Sequence, residues 1–211
     1  CLMPWSANIY DLLAEPMMSA LPAGTKMIAT GVVTPFLVPV KVTLMVAFVL
    51  ALPVVLYQAW CFIAPGLYAH ERRFALPLVF GGTILFLTGI AFCYFFVFHT
   101  VFRFMVRIAP SSITVAPDIE QYLSFVLTMF LAFGVTFEVP IVVLLLVKAG
   151  VVSVDKLSEV RPYVIVGAFV VAAVLTPPDV TSQVMLALPM CLLYEAGLIL
   201  ARIMQRGRPA S

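Results

Sequence analysis

YLSFVLTMFLAFGVTFEVPIVVLLLV, residues 122–147, is an apolar run whose single charged side chain is Glu138. A helix that crosses the ~30 Å hydrocarbon core of a bilayer needs about 20 mostly apolar residues, and this stretch supplies them without a charge at either flank of the acid. The remainder of the 211-residue chain has the same character: 64% of it is hydrophobic, 10% is charged, and its mean hydropathy is +1.15. Water-soluble domains carry about 25% charged residues, so there is too little polar surface here to cover a globule in water. The expectation is an all-α, polytopic integral membrane protein.

Further runs of spanning length fall at residues 43–62, 74–98 and 180–201. Residues 163–175 form a shorter one, about 13 residues or on the order of 20 Å as a helix, which calls for local bilayer thinning or shielding by protein. It is joined to the last run by the tight turn TPPD at 176–179. With these runs as spans, loops alternate between the two faces. Arg72, Arg73, Lys148, Lys156, Arg161, Arg202, Arg206 and Arg208 fall on one side, and Lys26, Lys41, Arg103 and Arg107 on the other. The positive-inside rule puts the richer side, with the C-terminus, in the cytoplasm. The opening stretch is then an outer cap, with Asn8 able to cap a short helix whose apolar face is Ile9, Leu12 and Leu13, and with Pro16, Pro22, Pro35 and Pro39 breaking it up. No internal repeat is visible, which weighs against an inverted-repeat transporter.

Several function classes drop out. A net charge of +2, without basic runs interleaved with aromatics, excludes nucleic-acid binding. Cys1, Cys61, Cys93 and Cys191 match no metal or disulfide spacing and read as small buried hydrophobes. His70 and His99 lie on opposite faces and cannot share a metal. Serines and aspartates are too scattered for a nucleophile with its base, and no nucleotide-binding loop occurs. No enzyme, metal or cofactor is expected. The start, Cys-Leu-Met-Pro-Trp, lacks a basic region before an apolar one and is no signal peptide; it reads as the inside or end of an earlier helix.

A few residues could carry chemistry. Ionised Glu138 would cost about 2.5–3.5 kcal/mol at the bilayer centre; it reads as a polar contact for an intramembrane partner, as a proton site, or as an acid bonded to a neighbouring helix. Glu195 lies near the end of its span, close enough to Arg202 for both to snorkel to the interface. Asp179 can cap the last helix, and Pro53, Pro140 and Pro189 bend their spans. The loop FIAPGLYAHERR (62–73) is either a solvated turn or something more specific. Pro65-Gly66 fixes a turn, Phe62, Leu67 and Tyr68 offer apolar anchorage, and Glu71 beside them can accept a guanidinium bidentately, which lysine cannot imitate. That combination suits a receptor for an arginine-bearing peptide.

FIAPGLYAHERR resembles the first cytoplasmic loop of the TatC family, receptor subunits of the twin-arginine protein translocase. MIATGVVTPF (27–36), YLSFVLTMFLAFGVTFEVP (122–140), RPYVIVGAFVVAAVLTPPDVTSQ (161–183) and ALPM (187–190) resemble the family's other signatures in the same order. The resemblance implies a six-helix bundle with a concave face, short last two helices and cytoplasmic termini in the bacterial inner membrane. This chain would hold the end of helix 1 (1–5) and five complete spans: helix 2 (41–63), helix 3 (74–98), helix 4 (121–147), helix 5 (162–176) and helix 6 (180–202). Between them would lie a periplasmic cap (6–40), a cytoplasmic loop (64–73), a periplasmic loop (99–120), a second cytoplasmic loop (148–161), a periplasmic turn (177–179) and a cytoplasmic tail (203–211). It implies that Glu71 binds the paired arginines of a signal peptide, with Phe62, Pro65, Leu67, Tyr68 and Arg73 shaping the loop. Glu138 would be the polar residue where single-helix partners, TatA or TatB, dock, and Pro16, Phe36, Pro53, Tyr122, Asp179 and Gln183 would hold structural positions. The implied function is export of folded proteins, driven by the proton-motive force, with TatA, TatB, further TatC copies, lipid and signal peptides as partners. The family's N-terminal segment, carrying a second acidic part of the signal-peptide site, has no counterpart here, so that half is not assigned. On the residues alone, a proton-coupled solute transporter built on Glu138 and a passive membrane scaffold are the rivals.

Overall fold

In lipid, every backbone N–H and C=O must find its partner within the segment, so an apolar chain of this kind resolves into helices. The structure, a computed structural model, describes residues 6–20, 27–63, 75–108, 117–175 and 180–206. In chain order they form α1 (Ser6–Ala20), α2 (Thr34–Ile63), α3 (Ala75–Phe92), a π-helical segment (Cys93–Phe98), α4 (His99–Ile108), α5 (Ile119–Phe137), α6 (Val139–Lys148), α7 (Val154–Glu159), α8 (Arg161–Leu175) and α9 (Val180–Arg206). Among the described residues, extended pairing is confined to one isolated parallel bridge between Ile28 and Asp118. Four stretches are long and apolar enough to cross a bilayer, Thr34–Ala59, Pro77–Phe104, Ile119–Lys148 and Gln183–Gln205, and Arg161–Val174 is a shorter apolar helix.

These correspond to the five runs read from the sequence, but their ends differ. Helix 2 begins at Thr34 rather than at residue 41, because Pro35 falls in the first turn, where its missing N–H would have had no partner. Helix 3 does not end at residue 98; it continues through the π segment and α4 to Ile108, with Val101 and Phe102 buried and Arg103 turned to the exposed side. The 148–161 connection contains a helix, α7, capped by the Ser153 hydroxyl, which accepts from the Lys156 N–H at 3.3 Å. The last helix runs on to Arg206. Residues 64–73 and 177–179, expected as a loop and a turn, lie outside the described residues.

The chain divides into two compact units, one comprising Cys1–Ala51 with Ala91–Leu131, the other Leu52–Ile90 with Ala132–Ser211. In the first, α1 packs on α4 and the π segment. Pro16 sits inside α1 rather than ending it. Because proline has no N–H, the Leu12 carbonyl loses its partner in the helix, and the Tyr94 hydroxyl donates to it at 2.8 Å. The Tyr122 hydroxyl donates to the next carbonyl, Leu13, at 2.7 Å. The buried face of α1 is Leu13, Ala14 and Met17; Leu12, expected on it, is 58% exposed. Beneath lies an aromatic core in which Phe98 meets Phe102 and Phe130, each at 5.4 Å between ring centroids, and Phe102 meets Tyr122 at 5.5 Å.

A polar clasp joins the start of α5 to the start of α2. Asp118 Oδ1 accepts from the N–H groups of Glu120 and Gln121 at 2.9 and 3.0 Å, capping α5, while Oδ2 accepts from the Thr30 N–H at 3.1 Å and from the Thr30 hydroxyl. Glu120 accepts from Thr34 Oγ1 at 2.9 Å and from Lys41 Nζ at 3.1 Å, and Lys41 also donates to Ser124 Oγ at 3.0 Å.

In the second unit, α9 packs along α6 and α8 around Val143, Val154, Tyr194, Leu198 and Ala201. Gly150, at φ +71°, supplies the left-handed turn that ends α6, and the Val151 N–H reaches back to the Leu146 carbonyl at 3.1 Å. Arg161 pairs with Glu195: Nη2 donates to Oε2 at 3.0 Å, and Nε lies 2.8 Å from Oε1 as an ion pair. Arg202 donates to Ser158 Oγ at 2.7 Å. Glu195 is therefore held by the start of α8, not by a shared excursion with Arg202.

A buried carboxylate at a broken span

The α5–α6 span is interrupted at Glu138 for a local reason. Pro140 has no N–H to give to Thr136 four residues back, so the regular ladder fails there. Glu138 itself takes φ −75° and ψ −16°, its N–H pairing with the Val135 carbonyl at 3.1 Å, a tightened turn. Its carbonyl accepts from the N–H groups of Ile141 and Val142, both at 3.0 Å, and helix resumes.

The side chain is 5% exposed, and among the described residues neither carboxyl oxygen has a hydrogen-bond partner. Helix α3 passes against it at Gly82. A Cβ on Gly82 would stand 3.1 Å from Oε2, 3.3 Å from Oε1 and 3.3 Å from Leu56 Cδ1. The carboxylate thus occupies a notch that exists because residue 82 has no side chain. Close approach recurs nearby: the Phe86 ring lies across Gly134, where an added Cβ would come within 2.4 Å, and one on Gly197 of α9 would reach 2.9 Å from Pro140 Cα. Small residues at helix crossings are how packing is achieved where lipid provides no hydrophobic drive. Burying a polar group without a hydrogen-bond partner is costly, which makes Glu138 a candidate to accept from a donor that the described residues do not supply.

Of the other residues singled out in the sequence, Pro16 and Tyr122 come together through the carbonyls of α1, as described. Gln183 Nε2 donates to the Phe169 carbonyl at 3.0 Å, tying α9 to α8. Phe36 is 64% exposed and Pro53 is exposed on α2, so neither is a core residue of this chain. Phe62 lies in the last turn of α2. Pro65, Leu67, Tyr68, Glu71, Arg73 and Asp179 lie outside the described residues. Gly82, Tyr94 and the Asp118–Glu120–Lys41 clasp do not stand out in the sequence. The signals were a glycine in an otherwise bulky span, and Thr34 and Lys41 seven residues apart on one helical face.

Spans of this length and composition, one broken around a buried acid, define a polytopic integral membrane protein with an intramembrane polar site. Residues 1–189 match the family model described as Sec-independent protein translocase protein (TatC). The chain is 52% identical to the TatC protein of Haemophilus influenzae over 97% of its own length and 80% of that protein's. Against the TatC proteins of Azotobacter chroococcum and Escherichia coli K12 the identities are 53% and 50%, covering 100% and 96% of this chain and 83% and 78% of theirs. A crystal structure of the twin-arginine translocase receptor TatC superposes with a TM-score of 0.83 at 37% identity, over 97% of this chain and 90% of that one. The chain belongs to the TatC family, and with it to the Sec-independent machinery of protein transport.

Proposed function

We propose that this chain is a signal-peptide receptor of the twin-arginine translocase in the bacterial inner membrane, with its C-terminus in the cytoplasm. Glu71, framed by Phe62, Pro65, Leu67, Tyr68 and Arg73, accepts the paired guanidinium groups of a signal peptide by charge-assisted, bidentate bonds. Glu138 receives a polar group from a single-helix partner of the TatA or TatB type, and transport of the folded cargo draws on the proton-motive force. The likeness to a solved twin-arginine translocase receptor over nearly the whole chain carries this reading. The Glu138 carboxylate, without a hydrogen-bond partner among the described residues, supports the docking half of it.

Photo-crosslinking from position 71 to a peptide bearing paired arginines, against the same peptide with two lysines, tests the receptor role in membranes. Crosslinks that form with arginine and fade with lysine are expected, and Glu71→Ala is expected to abolish export while leaving the protein inserted. Equal crosslinking with both peptides, or normal export by Glu71→Ala, would overturn the reading. A Glu138→Gln variant keeps a hydrogen-bonding group and removes the charge. It is expected to leave peptide crosslinking intact and to weaken capture of the partner helix.

A further inference from the structure

The segment that leads into α2 holds apolar side chains away from the protein. Ile28, Val32, Val33 and Phe36 are 46%, 99%, 59% and 64% exposed. The backbone beneath them is fixed: Ile28 N–H bonds the Pro117 carbonyl at 3.1 Å, Ile119 N–H bonds the Ile28 carbonyl at 2.9 Å, and Thr30 is bound to Asp118. Thr34, 1% exposed, and Val38, 6% exposed, anchor the opposite face. The presented surface is therefore carried on a hydrogen-bonded segment.

Lys41 marks the level at which this surface sits. Side chains on a helix lean toward its N-terminus, and Lys41 reaches back along α2 to the same Glu120 carboxylate that Thr34 holds. That is the direction in which a lysine near the end of a span carries its ammonium toward the headgroups. Phe36 lies between Thr34 and Lys41 in the chain, so it shares their height, and at 100° per residue it stands roughly 140–200° around the helix from them. The 30 residues of α2 extend about 45 Å, against ~40–45 Å for a bilayer with both headgroup regions. Its first turn therefore reaches the headgroup level, and its outward face continues into exposed Leu44 and Leu50.

We propose that Val32, Val33 and Phe36 form an apolar wedge seated at the headgroup–acyl boundary of the leaflet nearer the start of α2, with the lipid surface itself as the occupant. Aromatic and aliphatic groups at this level anchor a span in depth. The Lys41–Glu120 pair on the far side of the helix keeps the charged groups at the same height. The inference does not depend on the receptor role of Glu71.

The test uses Phe36→Trp and, separately, Val32→Trp, each in the full chain with Trp5 and Trp60 replaced by phenylalanine and reconstituted in phosphatidylcholine–phosphatidylglycerol nanodiscs. Quenching is compared between lipids carrying a nitroxide near the headgroup, lipids carrying it at the acyl terminus, and aqueous acrylamide. The wedge predicts quenching at least about twofold stronger from the shallow nitroxide than from the deep one, with weak quenching by acrylamide. Strong acrylamide quenching without a lipid effect would place the patch in water and overturn the proposal. Resistance to all three quenchers, relieved by dilution into excess lipid, would make the occupant a second protein chain and overturn it equally. Val32 is almost wholly exposed, so its tryptophan variant keeps the test available if Phe36→Trp fails to fold.

Discussion

Gly82 is the residue on which the environment of Glu138 turns. A β-carbon there would stand at 3.1–3.3 Å from both carboxyl oxygens, so a branched side chain must displace the acid or push α3 away. Overpacking of this kind costs about 1–3 kcal/mol; Gly82→Val is expected to lower the detergent melting temperature and impair export. Gly82→Ser is expected to be far milder, because its hydroxyl can donate to the carboxylate it crowds. Equal damage from serine and valine, in melting and in export, would show that the notch is purely steric. Asp118 offers a test by pH. The Thr30 hydroxyl first, then the Gln121 N–H and further backbone donors, hold its carboxyl down from 3.8 to about 2. A carboxylate depressed on folding stabilises while it is ionised. Its contribution is full above the ordinary carboxylate range and is lost as the pH falls from about 4 through about 2. The melting gap between the native protein and Asp118→Asn should therefore be constant at neutral pH and close across that acid window; a gap indifferent to pH would rule out this account.

At the scale of the element, α1 shows how a proline can be accommodated without ending a helix. Pro16 frees the Leu12 carbonyl, and Tyr94 donates to it from the π segment. A Pro16→Ala change restores an N–H that can pair with Leu12 inside α1, so the two sites are energetically coupled. Tyr94→Phe alone is expected to cost about 0.5–1.5 kcal/mol, and measurably less in the Pro16→Ala background. Chemical unfolding of the four proteins gives the cycle; strict additivity would mean that the hydroxyl does not serve the carbonyl the proline exposes. This arrangement explains part of what the sequence concealed. Pro16 was legible as a breaker, but its rescue depends on Tyr94, far away in the chain, standing opposite the gap. Similarly, Arg103 and Arg107 read as a loop because they are charged, whereas the helix continues beneath them on the strength of buried Val101 and Phe102.

For the molecule as a whole, the spans were legible because lipid demands long uninterrupted apolar runs, and Glu138 was legible because an acid within one is costly. The Gly82 notch was not, since a glycine in one run says nothing of which helix it faces. The loop containing Glu71 lies outside the described residues, and its reading rests on its motif alone, a compact set of residue types. The unequal helix lengths lead to a further expectation. α8 has 15 residues, about 22 Å, and α2 has 30, about 45 Å, so no bilayer of uniform thickness suits both. Thermal stability in phosphatidylcholine vesicles should pass through a maximum as acyl length increases, rather than rising steadily; a monotonic trend would mean that α8 is insulated from lipid. The same inequality has a consequence for neighbours in the membrane. Lipid adjoining the short helix must stretch or compress relative to the bulk, and two such deformed annuli lower their combined elastic energy by merging. A protein with helices this unequal would then draw other thin-girdled proteins toward α8 through the membrane itself, before any side chains touch.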